Sequence, residues 1–207
     1  MIAIIDYGAG NLKSVERALK HLGVTCRITA DPQEILVSQR VVFPGVGAAG
    51  SAMEVIRSRG LDAVIRDVIE QKKPFLGICL GAQIILETSE EDNTTPCLNI
   101  IAGMARRFPD SNLKIPHMGW NTVSVIRTHP IFEGIDRTAQ FYFVHSYYPE
   151  PADESAVIAT TDYGMTFASV VGRDNVVVAQ FHVEKSGPPG LRMLKNFSEW
   201  DGTVSSC

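Results

Sequence analysis

The feature that most constrains this chain is Gly77-Ile78-Cys79-Leu80-Gly81. The apolar run Phe75–Ile78 predicts a buried strand, and Leu80 with Ile84, Ile85 and Leu86 predicts a helix directly after it. Cys79 stands at the junction, with a glycine two residues to either side. This is the spacing of the nucleophile elbow, with Cys in place of Ser. A sharp strand-to-helix turn lifts the side chain clear of the sheet, and the glycines let neighbouring backbone approach without a Cβ clash. The helix N-terminus favours negative charge on the sulfur, and the Leu80 N–H becomes available to an oxyanion. The same five residues also fit a buried structural cysteine on a tight turn.

A second stretch separates these readings. Val176–Phe181 predicts a strand that ends in His182-Val183-Glu184. A nucleophilic cysteine needs a base, and the base needs an orienting group. His182 and Glu184 supply both, two residues apart.

The 207 residues suit one α/β domain spanning 1–207. Charged residues make up 20% and the net charge is −4, so no nucleic-acid footprint is expected. Cys26, Cys79, Cys97 and Cys207 show no C-x-x-C spacing. Neither a metal site nor a disulfide scaffold is expected, and Cys26, Cys97 and Cys207 read as structural or incidental. The sequence opens directly on an apolar strand, and no apolar run approaches the roughly 18 residues of a membrane span. A cytoplasmic location, whose reducing conditions suit a working thiol, is expected.

Ile2–Ile5 reads as a central parallel strand, followed by a turn at Asp6–Asn11 and a helix with Leu12, Val15, Leu19 and Leu22 on one face. Gly8-Ala9-Gly10 lacks the third glycine of a dinucleotide loop, because position 13 is Lys. Val24–Thr29 is the next strand, and Asp31-Pro32 turns it. Arg40–Phe43 is a strand that leads into the glycine-rich loop Pro44–Gly50. A helical region from about Ser51 to Gln71 breaks near Gly60. In the second half, Met104–Leu113 reads as irregular and Ile115–Asn121 as a loop. Strands are expected at Thr122–Ile126, Phe141–Val144, Ala156–Thr160, Met165–Val171 and Val176–Phe181, the last pair joined at Asp174-Asn175. Gly190–Trp200 is a final helix. His21 and His129 read as surface residues. The pattern predicts an α/β fold: a doubly wound, mostly parallel sheet with an antiparallel extension. Ligands in such sheets bind at the carboxyl ends of strands, where Cys79 and the Gly45–Gly47 loop fall.

Gly77-Ile78-Cys79-Leu80-Gly81-Ala82-Gln83 and Phe181-His182-Val183-Glu184-Lys185 together resemble the class I (triad) glutamine amidotransferases, with their flavodoxin-like architecture. Asp6-Tyr7-Gly8-Ala9-Gly10-Asn11-Leu12, Pro44-Gly45-Val46-Gly47-Ala48, Pro116-His117-Met118-Gly119-Trp120-Asn121 and Phe143-Val144-His145-Ser146-Tyr147 narrow the resemblance. They are similar to the glutamine amidotransferase subunits of imidazole glycerol phosphate synthases, from Ile2 to Trp200.

The resemblance implies a glutaminase of histidine biosynthesis that needs no cofactor and no metal. Its triad would be Cys79, His182 and Glu184, with Leu80 and Val46 N–H groups as the oxyanion hole. Glutamine would be held by Gly47, Gln83, Glu91 and the backbone around His145, Ser146 and Tyr147, with the His145 ring packed and hydrogen-bonded rather than carrying protons. The implied partner is a cyclase subunit with a (β/α)₈ barrel, forming a heterodimer through Asn11, Tyr142 and Lys185. One position departs from the family, which usually has Pro where this chain has Val183. Read on an extended strand end, Val183 leaves the triad intact but more loosely oriented. Glutaminases of other pathways, a catalytically weak scaffold for the cyclase, and a cysteine peptidase-like elbow protein are the competing readings.

Overall fold

The computed structural model describes residues 1–8, 10–109 and 113–204. Ala9 of the first turn, residues 110–112 of the Met104–Leu113 stretch and Cys207 lie outside the described residues.

The first half alternates strand and helix. β1 (Ile2–Ile5), α1 (Leu12–His21), β2 (Cys26–Thr29), α2 (Pro32–Leu36) and β3 (Arg40–Gly45) come first. α3 (Ala49–Ser58), α4 (Leu61–Glu70), β4 (Phe75–Cys79) and α5 (Leu80–Ile84) complete it. α3 and α4 divide at Gly60, whose φ of 66° suits glycine. Asp31-Pro32 does more than turn the chain. Asp31 Oδ1 accepts the Gln33 N–H at 2.8 Å and caps α2, with Pro32 in the first turn.

The second half is largely β. β5 (Thr88–Ser89), β6 (Thr95–Pro96), β7 (Gly103–Arg107), β8 (His117–Thr122), β9 (Ser124–Val125) and β10 (Gln140–His145) precede β11 (Tyr147–Pro151). β12 (Val157–Asp162), β13 (Thr166–Arg173), β14 (Val176–Ala179) and α6 (Gly187–Glu199) follow. Two stretches read as irregular or loop are therefore strands. β7 pairs with β11, and β8 pairs with β10 from His117↔His145 to Thr122↔Gln140. Both are made by partners remote in sequence, against weak local propensity. The expected strand Thr122–Ile126 is split between β8 and β9, which belong to different sheets.

The main sheet runs β2-β1-β3-β4-β14-β13-β12-β9. β2 through β14 pair in parallel, and β13, β12 and β9 add the antiparallel extension. Alternate residues of β1 and β4 feed opposite faces. Ile2, Ile4, Leu76 and Ile78 join α1 and α6 in one core, and Ala3, Ile5 and Phe75 join α3 and α4 in the other. β4 lies between β3 and β14, so its end at Cys79 is central. Among the described residues no helix is long and apolar enough to cross a membrane.

α6 packs against a short 3₁₀ turn, Val183–Lys185, that follows β14. A Cβ on Gly190 would run into the Val183 carbonyl oxygen and come within 2.9 Å of the Ser186 Cβ. Gly190→Ala should therefore cost about 1–3 kcal/mol of stability in urea unfolding. An unchanged midpoint and slope would show that the turn is free to move away from α6.

Candidate active site

Cys79 closes β4 with φ 55° and ψ −103°, outside the regions open to an ordinary L-residue. Its surroundings explain how the strain is held. A Cβ on Gly81 would lie 2.6 Å from the Phe43 carbonyl oxygen, and one on Gly77 would lie 2.7 Å from Val178 Cγ1. Backbone and side chains thus close in on both flanks of the turn, and only glycine fits at either position. Cys79 Sγ lies 3.9 Å from the Val144 carbonyl oxygen and 3.9 Å from Gln180 Nε2.

His182 and Glu184 arrive from the neighbouring strand. Pairing of β14 stops at Ala179, and the chain tightens instead of staying extended. The His182 N–H is held by the Tyr142 carbonyl at 2.9 Å, and its carbonyl accepts the Ser186 hydroxyl at 2.6 Å. The resulting 3₁₀ turn brings Glu184 Oε1 to 2.9 Å from His182 Nδ1, with the two side chains 0% and 1% exposed. Val183 is thus the first residue of a turn, not part of a strand end, which corrects the extended reading. Its N–H meets no acceptor among the described residues.

A carboxylate only accepts, so Nδ1 carries the proton and Nε2 is left for Cys79. Nε2 makes no hydrogen bond in this conformation, although the sulfur is close enough to act on it. Burial pushes His182 down, but the Cys79 sulfur and the Glu184 carboxylate outweigh it and lift the pKa to about 9. Glu184 Oε1 also accepts from Asn11 Nδ2. Asn11, expected at a partner interface, therefore touches Glu184 itself.

Cys79 and His182 open into a cavity of about 350 Å³. Val46, Gly47 and Leu80 line it beside the sulfur, Gln83 and Glu91 line it further out, and His145, Ser146 and Tyr147 close it. Pro116, Met118 and Val144 also line it and were not expected there: Ile115–Asn121 reads as a loop, and Val144 ends an expected strand with no local sign that it faces a cavity. Larger hollows of about 680 and 940 Å³ sit near β9 and the β13–β14 hairpin, and neither touches Cys79.

Gln83 is buried and donates through Nε2 to the Tyr147 carbonyl at 3.1 Å and to Gln180 Oε1 at 3.2 Å. Glu91 Oε2 accepts the Ala49 N–H at 2.7 Å. Burial raises the Glu91 pKa, the Ala49 N–H opposes this, and Asp92 adds to it. His145 Nδ1 lies 2.7 Å from the Tyr147 carbonyl and must donate to it. His145 Nε2 then accepts from His117 Nδ1 at 3.0 Å, and His117 Nε2 accepts from Asn121 Nδ2 at 3.3 Å. Both rings are neutral in this chain of bonds. Burial takes His145 to about 3 and His117 to about 4. His129, expected at the surface, is 4% exposed and packs against Trp200 with ring centroids 4.9 Å apart.

The family pattern agrees with this geometry. The profile of the class I glutamine amidotransferases matches residues 3–200. The imidazole glycerol phosphate synthase subunit HisH of Desulfovibrio desulfuricans is 53% identical, covering 97% of this chain and 94% of its own. That of Dehalococcoides mccartyi is 48% identical, covering 95% and 96%. The chain belongs to the class I glutamine amidotransferases, among the HisH subunits of imidazole glycerol phosphate synthase. A solved glutamine amidotransferase shares its fold with a TM-score of 0.76 at 18% identity, covering 96% of this chain and 98% of the other.

The amidotransferase carries its remaining sequence-expected residues near one edge of the site. Lys185 is exposed beside Glu184, and Tyr142 is half-buried with its ring 5.9 Å from Trp120. Trp120 and Met118 are both more than half exposed.

Two outcomes are expected. The His182 ring should titrate near pH 9 by NMR, so the stability it contributes is full below pH 6.5 and is lost as pH rises through about 9. Cys79→Ala should move that titration downward, and an unmoved titration would show that Glu184 acts alone. Val183→Pro should leave stability within about 1 kcal/mol, because Pro suits the first position of a helical turn. A loss above about 3 kcal/mol would mean that the Val183 N–H has a partner.

Proposed function

We propose that this chain hydrolyses glutamine to glutamate and ammonia at Cys79. It hands the ammonia to a cyclase subunit that makes imidazole glycerol phosphate in histidine biosynthesis. The carrying observation is a strained cysteine facing a buried His–Glu pair at the mouth of a cavity that fits one amino acid.

Cys79 Sγ attacks the side-chain amide carbon after its proton has passed to His182 Nε2, where the raised pKa of the ring holds it. The tetrahedral oxyanion takes the Leu80 N–H, and the Val46 N–H when that peptide faces the sulfur. One such donor is worth roughly 2.7–4 kcal/mol. His182 then protonates the leaving nitrogen, ammonia departs and a thioester remains. Water, activated by the same ring, releases glutamate and restores the thiol. Glu184 keeps the ring in its tautomer and offsets its charge. Glu91 suits the α-ammonium of glutamine, being a half-buried carboxylate in the cavity wall. The α-carboxylate falls to the Ser146–Tyr147 backbone.

Ammonia released into water is diluted and protonated, so a glutaminase of this kind needs a receiving partner. The exposed Met118 and Trp120, beside Tyr142, Asn11 and Lys185, supply an apolar surface with a positive charge next to the triad. The cyclase subunit named by the family suits that surface.

Cys79→Ser should abolish glutamine-dependent synthesis by the complex, by more than about 10³-fold, and leave synthesis from added ammonia unchanged. Loss of both activities at saturating partner would show that Cys79 supports the interface or fold rather than the chemistry.

A further inference from the structure

β11 is an edge strand whose neighbour in the sheet is β7. Tyr147 stands opposite Arg107, and the Phe108 N–H donates to the Ser146 carbonyl at 3.0 Å. A bond at that place makes Tyr147 and Arg107 a non-hydrogen-bonded pair, so the N–H and carbonyl of Tyr147 both point away from β7. The carbonyl accepts from Gln83 Nε2 at 3.1 Å and from His145 Nδ1 at 2.7 Å, which occupies both lone pairs. The N–H shares that edge, has no acceptor among the described residues, and belongs to a residue that lines the cavity.

The hold on Tyr147 is set one layer deeper. Asn121 has both ends of its amide committed: Oδ1 accepts the Thr122 N–H at 2.8 Å, and Nδ2 donates to the Asp162 carbonyl at 2.9 Å. Its Nδ2 also lies 3.3 Å from His117 Nε2, so that nitrogen accepts and His117 carries its proton on Nδ1. His117 Nδ1 lies 3.0 Å from His145 Nε2, which accepts in turn and leaves the His145 proton on Nδ1, facing the Tyr147 carbonyl. The chain of bonds thus has a single polarity from Asn121 to Tyr147. His117 is 2% exposed, stacks on Phe143 and Tyr163 with centroids 4.8 and 4.0 Å away, and does not itself line the cavity.

We infer, on the glutaminase reading above, that His117 is a positioning residue for the α-carboxylate of glutamine. Its N–H holds His145 in the tautomer that grips Tyr147, whose own N–H receives the carboxylate. Without that donor, His145 Nε2 is a buried acceptor with no partner. Moving the proton to Nε2 instead sets a bare Nδ1 2.7 Å from the Tyr147 carbonyl oxygen, where lone pairs repel. Protonating both nitrogens is opposed by burial, which takes His145 to about 3. Every alternative loosens the Tyr147 backbone and leaves Cys79, His182 and Glu184 untouched.

His117→Phe keeps a flat ring for the stack and deletes the N–H. In the complex with the cyclase subunit, KM for glutamine should rise about five- to tenfold, with kcat and synthesis from added ammonia unchanged. Affinities from NMR titration of the same complex localise the loss. Glutamate should bind about five- to tenfold more weakly, and 4-aminobutanoate, which is glutamate without its α-carboxylate, equally well. The ratio of the two affinities is independent of how much variant folds. His117→Asn gives up the ring but returns an amide N–H near the lost one, and should bind glutamate more tightly than His117→Phe. An unchanged glutamate affinity, or the same loss for both ligands, would overturn the inference. So would the reverse order of the two variants, which would show that the ring matters for packing alone. Absence of any Cys79-dependent hydrolysis by the unmodified complex would overturn the glutaminase reading itself, and the inference with it.

Discussion

Everything in the site depends on one backbone conformation, that of Cys79 at φ 55° and ψ −103°. Such strain persists only where its surroundings over-determine it. Here β3 and β14 grip β4 from both sides, and Gly77 and Gly81 let Val178 and Phe43 close on the turn. Relaxing Cys79 would drive its neighbours into those contacts. The same grip fixes the site's other members. β14 leads to His182, and β3 leads to Val46 and Gly47. The two parallel strands that flank β4 thus deliver His182 and the Val46–Gly47 loop to the end where Cys79 stands, as expected for ligands of an open α/β sheet.

The four buried histidines show how partners decide a ring's charge. Burial lowers the pKa of His117, His129, His145 and His182 alike. Only His182 faces both a carboxylate and a sulfur, and only His182 ends above its ordinary value. His145 sits in the same cavity, but its Nδ1 is committed to a carbonyl and its Nε2 to His117. It shapes the cavity as a neutral ring.

The first half of the fold was legible because each element announces itself locally. Continuous apolar runs gave β1, β3 and β4, and a 3–4 spacing gave α1. The elbow was legible for the same reason, since glycine spacing encodes close approach. The second half resisted because β7, β8 and β11 carry Arg, Gly, Trp, Asn and Pro, and only partners far along the chain make them strands. The turn at Val183 was misread because the Tyr142 carbonyl, which accepts the His182 N–H, helps impose it and lies far away in sequence. Resemblance supplied Val46, Gln83 and Glu91, which the bare pattern would have left as a loop and a helix face.

Glu91 ties these parts together. Its Oε2 holds the Ala49 N–H at the start of α3, two residues after Gly47. Asp92 Oδ2 reaches the next N–H, that of Gly50, at 3.3 Å. The segment bearing them includes positive φ at Asp92, Asn93 and Thr94, a conformation that Asp and Asn tolerate but that the β-branched Thr94 adopts only under tertiary constraint. The loop that follows β3 therefore ends on an anchor formed by the carboxylate that lines the cavity. A carboxylate has acceptor capacity beyond one bond, so an ammonium can join Ala49 on Glu91 without displacing it. Positive charge arriving there relieves both the burial and the repulsion from Asp92 that raise the Glu91 pKa. The carboxylate that lines the cavity is therefore also the one that fixes the start of α3.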